Sequence, residues 1–297
     1  TAAGDAAPNT LSPFITPLCP AVGYWSGYFD GGSYITFPDN AALQMGTGDF
    51  TVELWCIFNT VGGYQTLFDK GYNATGGFLI QTQGASITVY MNGSPVITAA
   101  GNLSAGWNHI AVTRSGATVT LWINGLSVGT GTNSSNLNST HNVGIAASTN
   151  QTGNGTYPTT GQISNVRVVK GTAVYSTAFT PSTTPLTAIS GTSLLTCQNG
   201  EYFKDNSTNA FTATKVGSPV ISSQSPFPSA AVAGLGGSGY FGSATGAYGY
   251  VTVPYNTNLF SFGTGDFTIE GWFFRDGQVN YKTMFNFGTY STNLGIL

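Results

Sequence analysis

The chain has 297 residues, of which 6% are charged, and its formal net charge is −3. Globular domains carry about 25% charged residues, so charge is strongly depleted here. Eight Lys and Arg residues are too few for the cationic surface that binds nucleic acid or an anionic membrane, and no apolar run approaches the roughly 18 residues of a membrane span. Because 41% of the residues are hydrophobic, the chain can nevertheless bury a core.

Short runs of β-branched and aromatic residues, separated by clusters of Gly, Asn, Ser and Thr, recur along the chain. In chain order, examples lie at 34–37, 50–55, 86–91 and 119–123. The strong helix formers Glu, Lys and Arg are scarce. Short alternating strands bounded by turn residues are typical of a sandwich of two antiparallel sheets. The sequence therefore predicts an all-β fold.

Alternation within these runs predicts which side chains face the core. In the run 50–55 the even-numbered residues form an apolar face, and in the runs 86–91 and 118–124 the odd-numbered residues do. Asn-Gly dipeptides follow two of these runs, at 92–93 and 124–125. Asn and Gly both tolerate the positive φ that a type I′ turn requires, so a hairpin is predicted at each dipeptide.

An internal repeat spans the chain. Residues 46–55 read GTGDFTVELW and residues 263–272 read GTGDFTIEGW, with eight of ten positions identical. The match extends upstream to two shorter pairs: 27–29 with 239–241, and 12–14 with 225–227. Repeats of this kind indicate tandem structural units.

The repeat predicts two domains of unequal completeness. Residues 1–190 would form a first sandwich, and residues 191–297 a partial second one that contains an opening strand at 193–197, a linker loop and the first half of the fold. Both copies are interrupted within a repeat, so we expect the chain to belong to a longer polypeptide. An open half-sandwich would leave strand edges unpaired.

Three sequence blocks carry a resemblance to a known family. They are GDFTVELW at 48–55, GWNHIAVTR at 106–114 and VTLWING at 119–125. In this order and spacing they resemble the laminin-G-like, concanavalin A-like lectin/glucanase jelly-roll family. The resemblance implies two antiparallel sheets packed face to face in a jelly roll, with lectin or adhesive roles.

The segment that follows these blocks carries a narrower resemblance. Residues 163–175, followed by Phe-Thr-Pro at 179–181, are similar to the final strand and exit loop of such modules in bacteriophage virion proteins. This resemblance implies a non-enzymatic structural or adhesive module of a tail-fibre or capsid-surface protein. Its partners would be copies of itself, other virion proteins or surface glycans. The alternative is a secreted or cell-surface bacterial lectin or adhesin.

Carboxylate spacing gives no support for glycan hydrolysis. A retaining glycosidase needs two carboxylates about 5 Å apart, which on one strand means the same face. The glutamates are Glu53, Glu201 and Glu270, and none has a second carboxylate suitably placed on the same strand face. Asp49 has the spacing to Glu53 but lies at the loop end of the strand. The sequence therefore predicts a protein without enzymatic activity.

No cofactor or metal site is predicted. The two histidines, His109 and His141, lie in different segments, and neither His-x-x-x-His nor Cys-x-x-Cys occurs. Asp49 is expected to accept hydrogen bonds from loop amides, with a calcium ligand as the alternative. The cysteines are odd in number and lack a disulfide framework, so buried free thiols are expected: Cys19, Cys56 and Cys197.

The same alternation indicates one candidate binding surface. Tyr90 and Trp122 fall on the polar faces of their strands, and Asn92 and Asn124 follow them two residues later. Sugars bind where an aromatic ring stacks on the C–H face of a pyranose and neutral side chains hydrogen-bond its hydroxyls. These four residues are therefore the predicted glycan contacts. The alternative is that a loop or a neighbouring subunit covers both aromatic rings.

Overall fold

The computed structural model describes two compact units. It covers residues 24–100, 103–149, 155–200 and 202–227, the backbone of the strands at 2–3, 5–9 and 238–242, and the stretches 250–252, 264–271 and 284–285. The sandwich unit comprises residues 19–233, and the terminal unit comprises residues 1–18 with 234–297.

Strands dominate the described residues, with one short 3-10 helix. In chain order the elements are β1 (Ala2–Ala3), β2 (Asp5–Asn9), β3 (Ser26–Asp30), β4 (Tyr34–Phe37), η1 (Ala41–Leu43), β5 (Phe50–Phe58), β6 (Tyr64–Lys70), β7 (Phe78–Gln83), β8 (Ser86–Met91), β9 (Ser94–Ala99), β10 (Asn108–Ser115), β11 (Thr118–Ile123), β12 (Leu126–Thr132), β13 (Val143–Ile145), β14 (Thr160–Lys170), β15 (Thr192–Thr196), β16 (Thr214–Val216), β17 (Val220–Ser222), β18 (Ser238–Gly242) and β19 (Tyr250–Val251). Within the described part of the chain, no helix has the length and hydropathy of a membrane span.

The sandwich unit consists of two antiparallel sheets. The eight-stranded sheet has the order β12-β11-β10-β5-β14-β3-β17, with β15 also paired to β14. The seven-stranded sheet has the order β16-β4-β13-β6-β7-β8-β9. Phe50 of the first sheet and Phe78 of the second meet edge to face in the core, with ring centroids 5.5 Å apart. The predicted all-β sandwich of two antiparallel sheets is confirmed.

The predicted strand faces are also confirmed. Phe50, Val52 and Leu54 are fully buried in the core between the sheets. The odd-numbered residues of β8 and β11 belong to the same core: Ile87, Val89, Met91, Val119, Leu121 and Ile123. Alternation identifies these positions because each strand has one face against the opposite sheet.

Both Asn-Gly dipeptides form the predicted hairpins. Asn92 and Gly93 join β8 to β9 with φ of 53° and 73°. Asn124 and Gly125 join β11 to β12 with φ of 51° and 81°. Positive φ at both central positions is what a type I′ turn requires.

The strand pairing continues past residue 190, where the sequence analysis placed the boundary between two domains. The predicted opening strand of the second copy is β15, which pairs with β14 of the first sandwich. Further along the chain, β16 pairs with β4 and β17 pairs with β3. These strands satisfy hydrogen-bonding edges that would otherwise be open, which is why the chain beyond 190 joins the first sandwich.

In the terminal unit, β2 pairs with β18 and β1 pairs with β19. The repeated Gly-Tyr-Phe at 27–29 and 239–241 is in a strand in both copies. The described residues 264–271, by contrast, carry no strand assignment, although their equivalents in the first copy lead into β5. Trp272 lies outside the described residues, and beyond it only residues 284–285 of the predicted second copy are described.

Candidate functional site

Trp122 is covered by the loop that follows β14. Its side chain is 4% exposed, and its ring centroid lies 5.7 Å from that of Phe179 in this loop. Trp122 Nε1 donates a hydrogen bond of 2.9 Å to Thr113 Oγ1. The ring therefore has no open face for a sugar, and the alternative stated for Trp122, that a loop covers it, describes its environment. Alternation assigned Trp122 to the outer face correctly but could not indicate a cover supplied by a distant loop.

The Asn124 side chain makes structural hydrogen bonds in the same region. Its Oδ1 accepts the His109 backbone N–H at 2.8 Å, and its Nδ2 donates to Asn108 Oδ1 at 3.1 Å. Asn124 therefore ties the β11–β12 turn to the start of β10. Because β8 and β11 belong to different sheets, the structure does not join Asn124 and Trp122 to Tyr90 in one surface.

Tyr90 lies on the outer face of the seven-stranded sheet, where it belongs to a group of four tyrosines. Its half-buried ring meets that of Tyr72 edge to face, with centroids 5.0 Å apart. Beside this pair, the rings of Tyr64 and Tyr157 lie 5.1 Å apart. Tyr64 is 45% exposed and Tyr157 is 48% exposed. We call these four residues the tyrosine face.

A row of neutral polar side chains crosses the sheet between the two tyrosine pairs. Strand register aligns Thr66 with Gln81, and Gln81 with Thr88. Gln81 Nε2 lies 3.4 Å from Thr66 Oγ1 and donates to it. These three side chains are almost fully buried, so they form a fixed layer at the level of the sheet that is closed to a ligand.

Tyr72 and Tyr90 are uncharged at neutral pH. Burial raises the pKa of Tyr72 and of Tyr90, and the neighbouring tyrosines raise both further. Beneath Tyr72, the fully buried Asp69 accepts the Tyr72 backbone N–H at 2.9 Å and the Thr149 backbone N–H at 2.8 Å. Burial raises the pKa of the Asp69 carboxyl despite these hydrogen bonds.

A polar cavity lies next to the Tyr72–Tyr90 pair. Its volume is about 660 Å³. Asn92 contributes to its wall and is held in place because its Oδ1 accepts the Gly76 backbone N–H at 2.6 Å. The lining consists of small neutral side chains: Asn73, Ala74, Thr75, Asn92, Ser135, Asn136 and Asn138. Two of the four predicted contacts, Tyr90 and Asn92, are thus brought together at this end of the seven-stranded sheet.

Sequence analysis missed Tyr64, Tyr72 and Tyr157. Tyr72 follows β6 in a turn and Tyr157 precedes β14 in a loop, so neither falls within an alternating pattern. Tyr64 begins β6, beside Gln83 of β7. A signal that could have found them is the aromatic character of three residues in otherwise Gly-, Asn- and Thr-rich segments.

On the outer face of the eight-stranded sheet, a charged cluster surrounds Glu53. Arg167 donates to Glu53 Oε1 through Nε at 2.8 Å and Nη2 at 2.6 Å. Tyr175 donates its hydroxyl to Oε2 at 2.7 Å, and His109 Nε2 lies 3.1 Å from the same atom. Burial alone would raise the pKa of Glu53, but the hydrogen bond to His109 and the charge of Arg167 outweigh it and lower the pKa. The cluster binds the loop after β14 to the sheet.

The remaining candidate ligands have protein partners or are buried. Asp49 Oδ1 accepts the Gly116 backbone N–H at 2.7 Å, which confirms the expected role in satisfying a loop amide. Cys56 and Cys197 are buried free thiols, as predicted, and burial raises the pKa of each. Cys19 lies outside the described residues. Among the described residues, no three His, Cys, Asp or Glu side chains are grouped so as to hold a metal ion.

Two antiparallel sheets packed face to face define an all-β sandwich domain. Residues 29–181 match the family model Laminin_G_3, described as the concanavalin A-like lectin/glucanases superfamily. The chain belongs to this superfamily, as its three sequence blocks predicted. No curated protein matches the sequence.

The chain is also similar to solved structures, at low sequence identity. A suggested carbohydrate-binding protein from Bacteroides ovatus has 17% identity and a TM-score of 0.49, over 69% of this chain and 61% of that protein. The heptameric SAP-like pentraxin from Limulus polyphemus has 10% identity and a TM-score of 0.48, over 70% and 97%. The CBM40 of the Ruminococcus gnavus IT-sialidase, bound to α2,3-sialyllactose, has 14% identity and a TM-score of 0.41, over 52% and 95%.

Proposed function

We propose that this chain is a non-enzymatic glycan-binding module whose binding surface is the tyrosine face. The observation that carries the proposal is a group of four tyrosine rings on one sheet face, of which Tyr64 and Tyr157 are exposed and the other two half-buried, beside a cavity lined by neutral polar side chains. An aromatic ring binds the C–H face of a pyranose, and fixed neutral donors and acceptors bind its hydroxyls. The tyrosines meet the first requirement, and the polar side chains that line the adjacent cavity meet the second.

The environment of Glu53 supports a binding role without catalysis. Glu53 is fully buried, and both of its carboxylate oxygens are occupied by Arg167, Tyr175 and His109. A glycosidase needs a carboxylic acid and a carboxylate that reach the glycosidic bond from either side. Neither oxygen of Glu53 can reach a substrate unless its contacts with these three side chains are broken.

We further propose that the module belongs to a bacteriophage tail-fibre or capsid-surface protein, where it serves structure and adhesion. The resemblance of 163–175 and 179–181 to virion modules, the internal repeat and the charge-poor composition support this assignment. A secreted or cell-surface bacterial lectin or adhesin is the alternative. Antibodies against residues 24–227 should label purified virus particles; labelling of bacterial envelopes alone would contradict the virion assignment.

The glycan-binding proposal is tested by one matched pair of substitutions. Tyr90→Ala removes a ring of the tyrosine face, whereas Tyr202→Ala removes a tyrosine that is 54% exposed on the segment after β15. Loss of one stacking ring is expected to weaken glycan binding about tenfold or more, and Tyr202→Ala should bind as the parent chain does. Binding is measured on a glycan array and by calorimetry with the array's best ligand. Absence of any glycan ligand, or equal binding by Tyr90→Ala, would overturn the proposal.

A further inference from the structure

The ionised groups of the described residues are kept away from the tyrosine face. Lys70 and Arg114 are fully buried in the sandwich unit, where Lys70 donates to Asp39 and Arg114 to backbone carbonyls. Arg167 is committed to Glu53 on the other sheet. None of these three cations is free to meet a ligand above the tyrosines.

The other three described cations lie elsewhere in the sandwich unit. Lys170, at the end of β14 in the eight-stranded sheet, donates to the Ala41 carbonyl. Lys215 is exposed on the edge strand β16, which β4 and β13 separate from the first strand of the tyrosine face, β6. Lys204 follows Phe203, whose ring stacks on that of Phe29 in the eight-stranded sheet. The six described cations are therefore buried, paired or placed away from the tyrosines.

Charge decides which sugars such a surface accepts. A sialic acid carboxylate or a sulphate loses hydration when its sugar stacks on an aromatic ring, and this loss must be offset by a charge-assisted hydrogen bond from Arg or Lys. Around the tyrosine face the closest acidic group is Asp69, which is fully buried and bonded to Thr149. An uncharged sugar meets no such penalty, because its hydroxyls need only neutral partners.

The spacing of the two tyrosine pairs determines the length of the ligand. Tyr64 is opposite Gln83, and Tyr90 is opposite Leu79. Four residues along β7 separate the backbones at these two positions by about 13 Å, which is more than the width of one pyranose ring. The asparagine-lined cavity, with Asn92 in its wall, lies at the Tyr90 end. A ligand that contacts both pairs must therefore contain more than one sugar ring.

We propose that the tyrosine face selects uncharged oligosaccharides of two or more rings and discriminates against their sialylated or sulphated forms. This inference rests on the proposed glycan-binding function and specifies its ligand class. The selection arises from two features of this chain: no described cation lies beside the tyrosines, and Tyr64 and Tyr90 are separated along the sheet.

The test compares matched ligands on the intact chain. Neutral mono-, di- and trisaccharides of one series are titrated against the chain, together with the trisaccharide carrying terminal sialic acid or one sulphate. We expect the trisaccharide to bind at least about tenfold more tightly than the monosaccharide, and the charged forms to bind more weakly than their neutral parent. The dissociation constant of the neutral ligand should be unchanged between low and high salt, because no ion pair is formed.

The outcomes distinguish a failure of the proposed ligand class from a failure of the glycan-binding function on which it rests. If no glycan binds, the proposed function itself fails. If a Tyr90-dependent site binds sialylated or sulphated glycans more tightly than their neutral parents, or binds monosaccharides as tightly as trisaccharides, the function stands and the ligand class is wrong.

A gain-of-function variant tests the charge argument directly. Gln83→Arg adds a cation beside Tyr64 and should increase the affinity for the sialylated ligand while neutral binding persists. An unchanged sialylated affinity in Gln83→Arg would contradict the charge argument.

Discussion

Arg167 and Glu53 form a buried ion pair in which two guanidinium nitrogens of Arg167, at 2.8 and 2.6 Å, donate to one carboxylate oxygen of Glu53. The side chains are 7% and 0% exposed. Tyr175, from the loop after β14, donates to the other oxygen and stacks on Phe179, which covers Trp122. The pair thus organises the loop that closes the outer face of the eight-stranded sheet, and the opposite sheet keeps its tyrosines open.

Removal of one partner should destabilise the chain strongly. Arg167→Ala leaves the Glu53 carboxylate buried without its counter-charge, and such a change costs about 3–5 kcal/mol in the free energy of unfolding. Urea unfolding followed by circular dichroism measures this loss. Lys204→Ala, which removes an exposed cation, is the control and should stay within about 0.5 kcal/mol of the parent chain. A loss below about 1 kcal/mol in Arg167→Ala would contradict the assigned role.

The same pair predicts a loss of stability in acid. The ordinary pKa of a glutamate is 4.5, and that of Glu53 is lower in the folded chain. Glu53 therefore stabilises the fold fully above pH 4.5, and this contribution disappears as the pH falls through the lowered, folded-state pKa. Unfolding free energies between pH 7 and pH 3 should fall more steeply for the parent chain than for Glu53→Gln, which has no carboxylate to protonate. Parallel curves for the two chains would show that Glu53 has the same pKa in the folded and unfolded states, which would contradict the prediction.

Local sequence pattern predicted the strands and their faces because each strand has one side against the core. Phe50, Val52 and Leu54 were assigned to the core by alternation alone, and all three are fully buried. The two Asn-Gly turns were equally predictable, because positive φ is a property of the dipeptide.

Contacts between distant segments were not predictable. Trp122 and Tyr90 both fall on the outer faces of their strands, but only Trp122 is covered, since Phe179 lies in a loop far along the chain. Tyr72 and Tyr157 come from loops without periodicity, so their approach to Tyr90 and Tyr64 depends on tertiary structure. Pairing of β15 with β14 is likewise non-local, so the repeat alone does not indicate it.

Gly125 should tolerate no side chain. Its φ is +81°, and a Cβ there would lie 1.8 Å from the Phe179 carbonyl oxygen. Gly116, at the β10–β11 turn, also has a positive φ, of +57°, but a Cβ there would meet nothing within 4 Å. Gly116→Ala should therefore lower the free energy of unfolding only by the backbone strain, about 1 kcal/mol. Gly125→Ala should lower it by more than about 3 kcal/mol. Calorimetric unfolding of the two variants tests this order. Equal costs would mean that the loop after β14 moves aside without loss.

Tyr157, in the proposed binding surface, has a strained backbone conformation. Its φ is +53°, a left-handed conformation that is unfavourable for a bulky side chain and typical of functional sites. Tyr157→Ala and Tyr157→Gly both remove the ring, but only glycine also relieves the strain. The free energy of unfolding of Tyr157→Gly should therefore be about 1 kcal/mol higher than that of Tyr157→Ala. Both variants should lose glycan affinity to the same extent, since each lacks the ring that pairs with Tyr64. Urea unfolding and calorimetric titration of the same two samples separate the effects. A more stable alanine variant would contradict the strain, and retained glycan binding in both would exclude Tyr157 from the site.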